Sequence, residues 1–283
     1  QKQINQDFGF SVAYNFSIIK NKMTELNGVD YIGLSSSELH GRNFDQETSR
    51  SAVGQPIGSF FVYEADGLFQ NDAEIQNYKN DKGELLQPNA KPGDIRFKDL
   101  NGDGVINSED RDFVGSPLPD CSMGLTLGFN YKNFDISAFF QGVFGNEVYN
   151  LTNYLGEFYN QAQYNKNSTI LDAWRPDHTN TDIPRVTLDD PNNNIRPSTY
   201  YIHNASFVRL KNLKIGYTLP DRIASKLKLK RTYIYLQGQN LFTITGYNGI
   251  DPEVGLQSYS SENRNLDMGV DRGVYPLPRR FTL

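Results

Sequence analysis

From residue 7 to residue 19 apolar and polar side chains alternate without a break. Phe8, Phe10, Val12, Tyr14, Phe16 and Ile18 share one face; Asp7, Gly9, Ser11, Ala13 and Asn15 share the other. Period two over this length predicts a β-strand far longer than the globular average of about five or six residues. The pattern returns as a hairpin. Met123, Leu125, Leu127, Phe129 and Tyr131 oppose Gly124, Thr126, Gly128 and Asn130. After a tight turn near Lys132-Asn133, Phe134, Ile136, Ala138 and Phe140 oppose Asp135, Ser137 and Gln141, with Phe139 as the exception. Residues 202–218 continue the pattern, but its phase slips between Val208 and Leu210 on one side and Leu213, Ile215 and Tyr217 on the other. A β-bulge near Lys211-Asn212 is the simplest account. Residues 232–245 place Ile234, Leu236, Phe242 and Ile244 on one face, with Gln237, Gln239 and Thr243 on the other, and residues 275–283 begin a last strand.

Between these strands the periodicity is lost over residues 20–120, 145–200 and 246–274. The connections at 131–133 and 219–230 are short. A hundred residues is too long for an ordinary loop and predicts a small folded excursion. In the second excursion, residues 149–159 and 169–174 read as short helices, and the Asn- and Pro-rich stretch 176–197 as an irregular surface loop. Long connections on one side and short ones on the other are the asymmetry of an outer-membrane barrel, whose long loops are extracellular. The small and polar strand face suits a wall facing water. Periodicity alone points first to a β-sandwich, here a secreted, calcium-stabilised binding or adhesion module; strand length, the small and polar second face and the one-sided loops favour the barrel over it. Six strands cannot close a membrane barrel, since each unpaired edge group costs several kcal/mol in lipid. The chain therefore reads as all-β, the C-terminal strands of a larger antiparallel transmembrane barrel.

The densest chemical signal lies inside the first excursion. In DLNGDGVINSED, residues 99–110, Asp99, Asn101 and Asp103 take the first, third and fifth positions of a calcium-type loop. Val105 offers its carbonyl at the seventh, Asn107 serves at the ninth, and Asp110 closes at the twelfth. Gly104 sits at the sixth, where the chain must turn sharply. The closing residue is Asp where Glu gives a reliable bidentate grip, and no helical pattern flanks the loop, so this is not an EF-hand pair. The expected ion is Ca2+ in a structural role, with Mg2+ not distinguished. The competing account is an Asp/Asn/Gly turn held by its own hydrogen bonds.

Composition narrows the rest. A net charge of −5 steers nothing toward nucleic acid. The single Cys121 excludes an internal disulfide, and no apolar run is long enough for a transmembrane helix, which leaves a barrel open. His40, His178 and His203 have no metal spacing, and no nucleophile elbow, phosphate loop or dinucleotide fingerprint is present. Asp189-Asp190 reads as a turn pair, not a catalytic one, so no enzyme activity and no catalytic residue is expected. Tyr149, Tyr154, Phe158, Tyr159 and Trp174 suit either sugar stacking, lid docking or packing within the loop. The basic run 226–231 reads first as a solvated turn, and second as a contact for anionic head groups on the periplasmic side.

Several stretches taken together resemble the C-terminal barrel half of SusC/RagA-like TonB-dependent transporters. They are GQPIGSFFVYEADGLFQN at 54–71, PGDIRFKDLNGDGVINSEDRDFVGSPLP at 92–119, FDISAFFQGVFGNEVYN at 134–150, AWRPDHTNTDIPRV at 173–186, ASFVRLKNLKIGYTLP at 205–220, YLQGQNLFTITGYNGIDPEV at 235–254 and YPLPRRFTL at 275–283. Each alone is weak; seven in unchanged order are specific. The resemblance implies a barrel of about 22 strands around an N-terminal plug. It implies residence in the Gram-negative outer membrane, import of oligosaccharides, glycans or peptides driven through TonB, and a SusD-like surface lipoprotein as lid. The plug and TonB-contacting segment lie outside residues 1–283. Thr282-Leu283 also stops short of the aromatic end expected from the resemblance, so the chain reads as one segment of a longer barrel protein.

Overall fold

A computed structural model describes residues 2–3, 7–34, 38–39, 42–43, 47–158, 165–255 and 268–283. His40, Tyr159 and the stretch 256–267 of the third excursion lie outside the described residues. The long alternating segments form β1 (Phe8–Ile18), β2 (Cys121–Tyr131), β3 (Phe134–Phe144), β4 (Phe207–Thr218), β5 (Tyr233–Gln239), β6 (Thr243–Thr245) and β7 (Arg280–Thr282). They join one antiparallel eight-stranded sheet, in which Lys2–Gln3, β1, β2, β3, β4, β5 and β7 neighbour one another in that order and β6 pairs with β4.

Register puts the apolar residues in continuous rows. Phe10, Phe129, Ile136, Ile215 and Leu236 lie side by side, as do Val12, Leu127, Ala138 and Leu213. Eleven residues at about 3.4 Å each give about 37 Å, or about 26 Å of height at a 45° tilt, the height of a membrane-spanning apolar band. The phase slip in β4 is a bulge: Phe139 pairs with Asn212 and Phe140 with Leu210, leaving Lys211 as the extra residue. Residues 232–245 form two strands, not one. The chain breaks at Asn240, whose φ is 52°, and Asn240 and Leu241 donate to the carbonyls of Lys211 and Leu210 beside the bulge. The polar row accounts for Phe139, because a Cβ on Gly124 would lie 3.1 Å from that ring. Glycine on β2 leaves the ring its room.

Among the described residues no second sheet covers the apolar face. Val12, Tyr14, Phe16, Ile18, Phe129, Ile136, Ile234 and Leu236 are all exposed. A sandwich would bury this row at a dry interface, so the β-sandwich alternative is set aside. The dry core sits elsewhere, in a layer built by the excursions at one end of the sheet. Phe60, Val62, Leu68, Ile95, Phe97, Tyr149, Leu151, Phe158, Trp174, Ile195, Tyr201 and Val270 pack there. Short sheets frame the core, one joining Glu147–Asn150 to Ile202–Asn204 and Val270–Asp271.

Two expectations for this layer change. After helix α1 (Asp72–Asn77) of the first excursion, residues 149–150 belong to a strand and helix α2 spans only Leu151–Glu157, while 168–172 is a 3-10 turn. The stretch 176–197 is no surface loop throughout: Asp190, Asn192, Asn194 and Ile195 are buried. Their side chains supply partners that a neighbouring strand would otherwise supply. Asn194 Oδ1 accepts from the Ile95 N–H at 2.8 Å, and Asn192 Nδ2 donates to the Ile95 carbonyl at 2.9 Å.

Candidate metal centre and loop layer

The loop of residues 99–110 follows directly from the strand Ile95–Phe97 and ends in a 3-10 turn at Ser108–Asp110. Gly104 is required twice over. Its φ is +88°, and a Cβ there would meet the Asn80 side chain at 2.7 Å. Asp99 turns inward, its two oxygens accepting from the N–H groups of Gly102 at 2.8 Å and Gly104 at 2.9 Å. Asp110 is fully buried and does the same for Leu100 and Asn107 at 2.8 and 2.7 Å, while Asn107 caps the turn in return.

The other predicted ligands meet. Asn101 Nδ2 lies 3.1 Å from Asp103 Oδ2 and 3.3 Å from Glu109 Oε2. Asn107 Nδ2 lies 3.2 Å from the same Asp103 oxygen and 3.3 Å from the Val105 carbonyl. Hydrogen bonds from the Asn101 amide, the Val105 N–H and the Asn107 amide hold the Asp103 carboxyl below its ordinary value. Two amide N–H groups thus sit among three oxygens from Asp103, Val105 and Glu109. Asn101, Asp103, Val105 and Asn107 come together; Asp99 and Asp110 are spent on the loop's own backbone. Glu109 was not foreseen, because the loop template leaves its position unassigned. Among the described residues no three carboxylate, imidazole or thiol groups form a metal cluster.

Behind the loop lies a polar frame that tie the excursions together. Asp94, fully buried, accepts from Arg185 Nε at 2.7 Å and Asn194 Nδ2 at 2.9 Å. Gln87 closes the network, donating to the Ile95 carbonyl at 3.0 Å and accepting from the Phe97 N–H at 2.8 Å. Each buried group here has a partner, as a buried network needs. A second frame holds the third excursion to the sheet. Arg209, buried on the polar face of β4, donates to Asp251 at 2.6 Å and Glu253 at 2.9 Å, and Lys211 reaches Glu253 at 2.7 Å. Nothing local in the sequence marked Arg209, since its acidic partners are over forty residues away and Thr243, which accepts from its Nε, is 34 away.

Three of the aromatic residues named in the second excursion are structural. Tyr149, Phe158 and Trp174 are buried in the core, and Trp174 Nε1 donates to Gln70 Oε1 at 3.0 Å. They are not available for stacking on a ligand. His178 contacts Asp172 at 2.6 Å, and His203 sits half-buried in a short strand.

An open antiparallel sheet with eleven-residue strands, one exposed apolar face and a folded loop layer at one end is a segment of an outer-membrane β-barrel. Its relatives say which kind. TonB-dependent receptor P3 of Formosa agariphila is 38% identical over 279 residues, 99% of this chain and 26% of that protein. TonB-dependent receptor SusC of Bacteroides thetaiotaomicron is 29% identical over 290 residues, 99% of this chain and 24% of that protein. Among solved structures, one of the RagAB peptide transporter matches with a TM-score of 0.70 at 24% identity, covering 99% of this chain and 27% of that one. No family model matches the chain. The chain is thus a segment of an outer-membrane barrel, similar over almost its whole length to TonB-dependent receptors that include SusC, and it spans about a quarter of the length of the curated relatives it matches.

Proposed function

We propose that this chain is part of the wall and external loop layer of a TonB-dependent importer of oligosaccharides or peptides, working with a SusD-like surface lipoprotein. The observation that carries the reading is the asymmetry. The three excursions leave the sheet at one end, where their described residues fold into an interlocked layer suited to seat a lid, while the other end carries the short connections at 132–133 and 219–232. The buried networks around Asp94 and Arg209 hold this layer rigid, as a docking face requires. The relatives' names, TonB-dependent receptors and a peptide transporter, support a transport role. Coupling to TonB falls to parts of the protein beyond these residues.

The test uses the complete receptor extracted in detergent from its native outer membrane. A lipoprotein co-purifying in equal amount, together with loss of uptake of labelled oligosaccharide or peptide in the deletion strain, is expected. A receptor that purifies alone, in a strain whose deletion leaves uptake of both classes unchanged, would sink the proposal. Which labelled class fails to enter identifies the substrate.

The loop of 99–110 belongs to the same reading as a structural Ca2+ site on the external layer. A cation displaces the Asn101 and Asn107 amides from Asp103, and these residues with the Val105 carbonyl hold it. In the complete receptor, Asp103→Ala, which spares the Asp99 bonds to the Gly102 and Gly104 N–H groups, is expected to abolish calcium protection of this loop from protease without changing barrel stability. Equal cleavage of the unsubstituted loop with calcium and with chelator would remove the ion from the account.

A further inference from the structure

At the end of the sheet opposite the loop layer, the turn between β4 and β5 holds helix α3 (Asp221–Lys226). Residues 221–231 carry Arg222, Lys226, Lys228, Lys230 and Arg231 against the single acid Asp221, in a chain whose net charge is −5. These five cations are exposed, and none of their side chains has an ion pair or hydrogen bond to a described residue. Interleaved with them, Ile223, Leu227 and Leu229 are 47%, 59% and 47% exposed. Only Ala224 turns fully inward.

The backbone holds this arrangement at a cost. Leu229 N–H donates to the Ala224 carbonyl at 2.9 Å and Lys228 N–H to that of Ser225 at 3.1 Å, the paired bonds of a Schellman cap. Lys228 takes the left-handed position, φ 58°, where glycine is the usual and least strained residue. The neighbouring turn repeats the choice, with Lys132 at φ 52° between β2 and β3. Its flanking Tyr131 and Phe134 are exposed, and the Phe134 ring packs at a 43° tilt against Tyr217 of β4 with centroids 4.6 Å apart. Both short turns thus place a lysine where glycine would fold more easily, beside aromatic residues at the edge of the lipid-facing rows.

We propose that the α3 turn, with Lys132 beside it, is a head-group-binding rim that lies on the anionic phospholipid of the inner leaflet. Ile223, Leu227 and Leu229 dip into the acyl boundary while the cations meet lipid phosphates, as in surface-lying basic amphipathic segments. The charge is complementary to that surface, and the patch continues the exposed apolar face of β4 and β5, where Ile215, Ile234 and Leu236 already face lipid. The inference rests on the barrel reading and on the short turns facing the periplasm.

The experiment compares the complete receptor in nanodiscs of phosphatidylethanolamine alone and of phosphatidylethanolamine with phosphatidylglycerol. Native mass spectrometry counts phosphatidylglycerol retained, and hydrogen exchange follows residues 221–231. Each cation near an anionic surface is worth about fivefold in binding. The variant Lys226→Gln, Lys228→Gln, Lys230→Gln, Arg231→Gln is expected to retain phosphatidylglycerol at least about tenfold less well. Lys228→Gly removes one charge and relieves the strained position, so it keeps the test alive where the quadruple variant does not assemble. It is expected to unfold no earlier in detergent yet to lose phosphatidylglycerol. Unchanged retention in both variants, displacement of the lipid by inorganic phosphate at equal phosphate concentration, or exchange at 221–231 indifferent to lipid would each overturn the proposal. Outer-membrane fractionation and heat-modifiable mobility of the same variants report the barrel separately, so its failure is not confused with that of the rim.

Discussion

The sheet and the loop layer solve the same problem, covering apolar surface, in opposite ways. The loop layer buries its large side chains against one another: Phe60, Phe97, Tyr149 and Tyr201 are fully buried, and Asn and Gln side chains complete the hydrogen bonding that its short strands leave open. The sheet buries almost none of its apolar row within the chain and sends it outward, while its backbone is satisfied strand to strand. A water-soluble domain cannot be built the second way. In the barrel the lipid is the other half of the core, and the chain's hydrophobic residues outside the loop layer are explained by a solvent, not by a partner.

The contrast is broken most severely at Asp94. Removing one partner of a buried, hydrogen-bonded ion pair costs roughly 3–5 kcal/mol, because the remaining charge and amides are left unpaired. Asp94→Ala is expected to release the Gly93–Arg185 junction and make residues 87–97 and 185–196 protease-sensitive. The heat-modifiable mobility of the barrel stays unchanged, since no sheet strand contributes to that network. A barrel that unfolds together with the loop layer would show the two regions to be one cooperative unit.

A smaller effect sharpens the comparison inside the sheet. Leu127 faces outward near mid-strand beside Val12 and Ala138, and its neighbour Thr126 faces inward beside Ala13 and Phe139. An arginine on the lipid face near the midplane costs about 2–4 kcal/mol. Leu127→Arg is expected to lower the urea midpoint of the complete receptor in lipid vesicles by that amount, and Thr126→Arg to lower it far less. Equal losses at both positions would mean that the two faces are wrongly assigned.

How much was legible follows from the same contrast. A strand between lipid and lumen must alternate, so β1, β2 and β3 were readable from single residues, and the slip in β4 located a bulge that the register places at Lys211. The break at Asn240 was not readable, because Ile234 to Ile244 keeps its parity across it; only the partner strand's bulge explains it. The loop layer left little local trace. Trp174 under Gly93, or Asn194 against Ile95, joins residues a hundred or so apart, and such pairs have no period. Asn192 and Asn194 lie in the Asn- and Pro-rich stretch that reads as a surface loop, yet their amides act as substitute strand partners. The cation loop lay between these cases. Its template placed Asn101, Asp103, Val105 and Asn107 together, whereas the buried turn around Asp110 followed from capping, which the template does not describe.

The smallest effect separates the layers by pH. Glu157, at the end of α2, is buried; Tyr200 Oη donates to it at 2.6 Å and Thr169 Oγ1 at 3.1 Å. Burial outweighs these bonds and pushes its pKa above the ordinary carboxylate value of 4.5. In the window between that value and the raised one, the folded layer holds a proton that the unfolded chain has released. Stability there must fall as pH rises, and the loss is complete once pH passes the raised value. Hydrogen exchange at 151–157, corrected for intrinsic rates, is expected to show opening that grows easier across this window while the strands of the sheet show none. In Glu157→Gln the amide carbonyl still accepts from Tyr200 and carries no charge, so the slope is expected to vanish. An unchanged slope in that variant would assign the pH response to another group and leave Glu157 a packing residue.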